Sequence, residues 1–115
     1  MFTSLSIKLK PETLRSVAFG SISSSYTALG SALSNPARIF MLQNFTDTTL
    51  FFSFDGVNDH LVIPSDGFLL LDATANKTRE QGFYVSEGTQ IYVKDNGSAA
   101  SSGSAYLSVF YGSTN

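Results

Sequence analysis

The stretch TLFFSFDGVNDHLVIPSDGFLLLD, residues 49–72, decides the fold. Its first run alternates, with Leu50, Phe52 and Phe54 on one face and Phe51, Ser53 and Asp55 on the other. That is the period-two pattern of a half-buried strand. A second, shorter run, Leu61 to Ile63, ends at Pro64, and a third begins at Gly67 and reaches Asp72. Asp55-Gly56 supplies the positive φ that a turn between strands requires. The hexad DGVNDH, residues 55–60, also reads as a candidate calcium loop, because Asp55, Asn58 and Asp59 offer oxygen ligands. Its spacing departs from the D-x-[DN]-x-[DN]-G pattern, so the connection reading is preferred and no metal is expected.

Working outward, the same logic holds on both sides. Residues 37–44, ARIFMLQN, are apolar on both faces, with Ile39 and Met41 pointing one way and Phe40 and Leu42 the other. This suits a central strand or one whose outer face meets another subunit. Asn35-Pro36 precedes it as a stop, and Asn44-Phe45-Thr46-Asp47 follows as a turn. Strands are expected at residues 17–19, 26–29, 82–85, 89–94 and 105–111, with a Gly/Ser/Ala loop at 98–104 that reads as flexible or held at an interface. About eight short segments with turn signals roughly every ten residues predict an all-β, antiparallel, jelly-roll-like single sandwich. Period-two reading gives a core of Ile39, Met41, Leu50, Phe52, Phe54, Leu69, Leu71, Ile91, Val93, Leu107 and Val109.

The division expected is an N-terminal arm, residues 1–16, and a sandwich domain, residues 17–115. In the arm, Phe2, Leu5, Ile7 and Leu9 are interspersed among Thr3, Ser4, Ser6, Lys8 and Lys10 in strand-like fashion. Such a segment can add to a neighbour's sheet. Pro11-Glu12 suits the first turn of a short helix, though the pattern is too short for a helix stable alone.

Composition narrows the function. Among 115 residues there is no cysteine, which excludes disulfides, thiolate metal sites and cysteine nucleophiles. The formal net charge is −2, with no basic stripe to track phosphates, so nucleic acid is not an expected partner. No apolar run reaches the ~20 residues of a membrane-spanning helix, and the first fifteen residues do not read as a secretory signal. The triplets at Asn44, Asn76 and Asn96 match the glycosylation pattern and are read as chance in a Ser/Thr/Asn-rich chain. His60 is the sole histidine, so it is the only base open to a Ser-His-Asp triad, and no G-x-S-x-G elbow accompanies it. The carboxylates sit mostly at turns, and no Gly-rich phosphate loop occurs. The expectation is a protein that is not an enzyme and has no catalytic residue, cofactor or metal.

Charged residues make up 14% of the chain, against about 25% in an average domain. Aromatics are plentiful, and Phe51, Tyr84, Tyr92, Tyr106 and Tyr111 read as a subunit interface or as a sugar-stacking platform. With Phe2, Leu5, Ile7 and Leu9 of the arm they form the interface candidates.

Taken as a set, three segments resemble small virion structural proteins of tailed bacteriophages. They are NPARIFMLQNFTDTTLFFSFDGVNDHLVIPSDGFLLLDATANK, GFYVSEGTQIYVK and GSAYLSVFYG. The likeness lies in a strand-turn ending in DG, a short IP step, an LLLD strand and a terminal YVK…SVFYG pair. It spans roughly residues 14–111 and rests on the order of strands and turns. It implies a β-sandwich or jelly roll made in the host cytoplasm and placed in the virion. There it would assemble in many copies, with itself and other virion proteins, as capsid decoration or at the head–tail junction. The alternative is a carbohydrate-binding sandwich module of a receptor-binding structure, whose partner is a glycan.

Overall fold

The computed structural model describes residues 8–73 and 85–113. Among these, nine strands follow in order: β1 Lys8–Pro11, β2 Arg15–Ala18, β3 Thr27–Ala28, β4 Ala37–Asn44, β5 Leu50–Ser53, β6 Leu61–Ile63, β7 Phe68–Asp72, β8 Tyr92–Asp95 and β9 Ser104–Ser113. A single 3₁₀ turn, Phe19–Ser21, follows β2. One sheet runs β1-β9-β4-β7, with β2 also paired to β9 beside β1, and the other runs β3-β8-β5-β6. All pairings are antiparallel. From β2 onward the chain passes between the sheets at every step except β5 to β6. The resulting orders, β2-β9-β4-β7 and β3-β8-β5-β6, are those of a jelly roll. The expected fold class is what the structure shows.

The two inner faces supply the core, and β4 and β9 are its spine. In their ladder Phe40 opposes Val109, Leu42 opposes Leu107 and Asn44 opposes Ala105, and all six are buried. Leu50, Phe52, Ile63, Ile91 and Val93 answer from the other sheet, and Leu29 and Leu33 close the end between β3 and β4. Two expected core positions in β4 are corrected. Ile39 and Met41 lie on the outer face, only half-buried, while Phe40 and Leu42 point in. With large apolar residues on both faces, period alone does not select the phase; the register against Leu107 and Val109 does. Leu71 is corrected too: it shares the inner face with Phe40 but is exposed, because it sits at the sheet's edge.

The Pro11-Glu12 helix does not form. β1 and β2 are strands on β9, and Glu12 N–H donates to Val109 O between them. Residues 8–16 of the arm are therefore stitched into the first sheet, and residues 1–7 lie outside the described residues, as does most of the strand expected at 82–85. The loop at 98–104 is anchored: the Asp47 carboxylate accepts from Ser101 N–H and Ser101 Oγ–H. Gly103 passes so close to Phe45 that a Cβ there would stand 2.0 Å from Phe45 O, at φ +89°, so no other residue fits.

Candidate interaction surfaces

The loop at residues 55–60 is built around one carboxylate. Asp55 Oδ1 accepts from Val57 N–H, Asn58 N–H and Ser53 Oγ–H, each at 2.8 Å, and Oδ2 accepts from Asn58 Nδ2. These bonds hold its carboxyl far below the usual range. Its oxygens are spent on the loop's own amides, which is what an Asp favoured at turns does. Among the described residues no group of three or more His, Cys, Asp or Glu side chains is placed to hold a metal. His60 caps the loop: its Nδ1 accepts from Phe54 N–H at 3.0 Å and its ring meets Phe54 edge-on at 5.8 Å. Gly56, at φ +77°, lets the loop lie on the Tyr92 ring, 3.3 Å from where a Cβ would be.

The loop thereby reaches the outer face of the second sheet. Asp59 accepts from the Tyr26 hydroxyl and pairs with Lys94 Nζ at 3.1 Å. Lys94 also lies over the rings of Tyr26 and Phe51, 4.7 and 5.7 Å from their centroids. Burial first, then the bond to Asp59, raises the Tyr26 phenol; bonds from Tyr26 and Lys94 lower Asp59. A shallow depression of about 130 Å³ beside Phe51, Asp59 and Val62 marks this face. Polar groups accompany the rings here, and they are paired with one another.

A second node ties the arm to the domain. Arg15 and Glu12 form a buried pair at 2.7 Å, and Arg15 also donates to Ser31 O at 2.7 Å and Ala32 O at 3.0 Å. Glu12 Oε2 accepts from Asn35 Nδ2 at 3.0 Å. Burial pushes the Glu12 carboxyl up, but the bonds from Asn35, Arg15 and Ser34 together outweigh it and hold it below its ordinary value. The open polar cavity here, about 620 Å³, is lined by Tyr111 as well as by this pair. Its buried polar atoms are all satisfied, so it reads as a latch.

The third surface is the outer face of the first sheet. Alternation along β9, β4 and β7 puts Phe110, Ile39, Met41, Leu70 and Phe68 on it, in register: Ile39 opposes Phe110, Met41 opposes Leu70 and Gln43 opposes Phe68. Tyr106 opposes Gln43 from the β9 side, and its ring packs edge-on to Phe45 at 5.7 Å. Phe68 is 67% exposed and Leu70 51% exposed. Asp72 stands at one corner of this face, opposite Ile39.

Among the described residues, the interface candidates read from sequence are spread over several surfaces. Leu9 opposes Gly112 at the edge of the first sheet, and Tyr106 sits on that sheet's outer face. Phe51 and Tyr92 belong to the second sheet, and Tyr111 lines the polar cavity. Phe2, Leu5, Ile7 and Tyr84 lie outside the described residues. Sequence reading allowed residues 37–44 an outer face against another subunit but put Ile39 and Met41 in the core, and it did not single out Phe68, Leu70 and Phe110; the run FLLLD carried the signal, since placing Leu69 inside puts Phe68 and Leu70 outside. It also missed the Arg15–Glu12–Asn35 node, which joins residues up to 23 apart and has no local signature.

No family model matches the chain, and no curated protein matches it. Among solved structures it is similar to a chain from Bacillus endospore appendages, described as disulfide-linked pili, with 13% identity, a TM-score of 0.49, and 92% of this chain and 88% of that one covered. It is similar also to a chain of the cyanophage Pam1 capsid asymmetric unit, with 20% identity, a TM-score of 0.49, and coverage of 92% and 84%.

Proposed function

We propose that this protein is a non-enzymatic structural subunit that works in many copies, as a component of a tailed-phage virion on the capsid or at the head–tail junction. The observation that carries the assembly reading is the apolar outer face of the first sheet, from Phe110 through Ile39 and Met41 to Leu70 and Phe68. Burying a large apolar side chain is worth about 1.5–3 kcal/mol, so a face of several such residues favours cover by another protein surface. The placement in a virion is supported by the resemblance in strand and turn order. No disulfide of this chain joins the copies, since it has no cysteine. Particles purified on a density gradient from the producing culture, digested and analysed by mass spectrometry, should contain this chain at many copies per particle. Its absence from particles would contradict the virion placement.

The carbohydrate reading has one observation in its favour: Tyr26, Phe51 and Tyr92 share an outer face with Asp59 and Lys94. A glycan array probed with the wild-type chain and with Phe51→Ala separates the readings. Binding lost in the variant would favour the glycan module; no binding by either leaves assembly as the function.

A further inference from the structure

The edge of the first sheet formed by β7 is shaped to accept a strand. Asn44 N–H donates to Gly67 O and Ala73 N–H donates to Arg38 O. In an antiparallel ladder bonded rungs alternate, so these bonds put the rungs at 44/67, 42/69, 40/71 and 38/73. The backbone groups of Phe68 and Leu70 therefore point away from β4, toward the sheet's edge. Beside that edge, on the inner face, lies a mostly apolar slot of about 210 Å³ walled by Phe40, Leu71 and Val85, with Arg38 and Asp72 also on its lining. An edge whose Phe68 and Leu70 backbone groups point away from the sheet, beside a pocket for an alternate side chain, is what strand addition uses: the main chain supplies affinity and the pocket specificity.

Residues 1–7, MFTSLSI, precede β1 and have the matching pattern. Leu5 and Ile7 share one parity; Phe2, Ser4 and Ser6 share the other. Seven extended residues span roughly 24 Å, more than the five-residue β7 needs. The segment continues into Lys8 and Lys10 of β1, and acidic residues stand before β7, at Asp66, and at its end, at Asp72. Within one chain, β1 leaves from the opposite edge of the sheet, with β9 and β4 between it and β7.

We infer that residues 1–7 of one copy add as a strand to β7 of a second copy, with Leu5 or Ile7 in the slot against Phe40 and Leu71 and with Ser4 and Ser6 beside Leu70. This deepens the multi-copy reading and rests on it. It joins each copy to the next head to tail, through an arm on one edge and an acceptor on the other, which generates a ring or a filament.

Because the chain has no cysteine, single cysteines report cleanly. Adjacent strands lie about 4.8 Å apart, within disulfide reach. A tagged Ser4→Cys or Ser6→Cys chain, mixed with an untagged Leu70→Cys chain and oxidised, should give a tagged–untagged dimer. Excess synthetic peptide of residues 1–10 should suppress it. The Leu70→Pro variant of the cysteine-free chain should keep its circular dichroism and lose its multimers, because the Leu70 N–H does not face β4 and proline is tolerated on an edge. Multimers by light scattering with no cross-link from either arm position overturn the strand addition and leave the multi-copy reading standing. An intrachain bond in a monomeric Ser4→Cys/Leu70→Cys chain places the arm on its own β7 and overturns the exchange. A chain monomeric throughout overturns both.

Discussion

Phe40 and Leu71 stand directly opposite each other in the β4–β7 ladder, on the same face of one sheet, yet Phe40 is 1% exposed and Leu71 42% exposed. The core therefore ends between two side chains on adjacent strands. Phe40 is closed over by Phe54, 6.0 Å away between ring centroids, and by the opposite sheet; Leu71 borders an apolar slot. Phe40→Ala should cost about 3–5 kcal/mol in urea unfolding, the usual range for a buried aromatic. Leu71→Ala should cost less than about 1 kcal/mol to the isolated fold. Equal costs would mean that the slot is filled and Leu71 is part of the core.

Charging the outer face should separate folding from assembly. Lysine at Phe68 and Leu70, both on an edge strand where lysine is tolerated, should leave stability within about 1 kcal/mol of wild type. The molar mass in light scattering should fall. A stable double variant that assembles like wild type would show that this face is not the contact.

Asn44 should prove costly to remove. It is fully buried; its amide donates to Thr48 O and Ile63 O, and its carbonyl accepts from Thr46 N–H and Thr46 Oγ–H. Asn44→Ala leaves several buried partners unpaired, each worth roughly 1–3 kcal/mol, so a loss of at least about 2 kcal/mol is expected in denaturant. A loss under half of that would show that water replaces the side chain.

How much of this was legible in the sequence follows from the range of each interaction. Leu50 and Phe52, with Leu107 and Val109, alternate cleanly against polar or small neighbours, so period two places them correctly. β4 is apolar at every position from Ile39 to Leu42, and its phase is set by partners more than sixty residues away. The helix expected at Pro11 gives way to pairing with β9, a tertiary preference that outweighs a weak local one. The turn at Asp55 was readable because its bonds span two or three residues, and the Glu12–Asn35 contact was not, because nothing local announces it.

The Arg15–Glu12 pair fixes a direction with pH. Glu12 is held below its ordinary 4.5 in the folded chain, so its contribution is present above that value and is lost as pH falls through the folded value. Asp47, Asp55 and Asp59 are lowered as well and act in the same direction. Stability should thus decline as pH falls below 4.5, and Glu12→Gln should flatten part of that decline. Arg15→Ala removes the ion pair and the bonds to Ser31 O and Ala32 O, leaving Glu12 held by Asn35 and Ser34, and should lower stability near neutral pH. A Glu12→Gln profile parallel to wild type through the acid range would remove the pair from this account.

Self-association is the central claim, and light scattering on the full chain across a concentration series tests it most directly. The account predicts a molar mass that is a multiple of 12.4 kDa and that falls when residues 1–7 are deleted. A mass of 12.4 kDa at every concentration would contradict it.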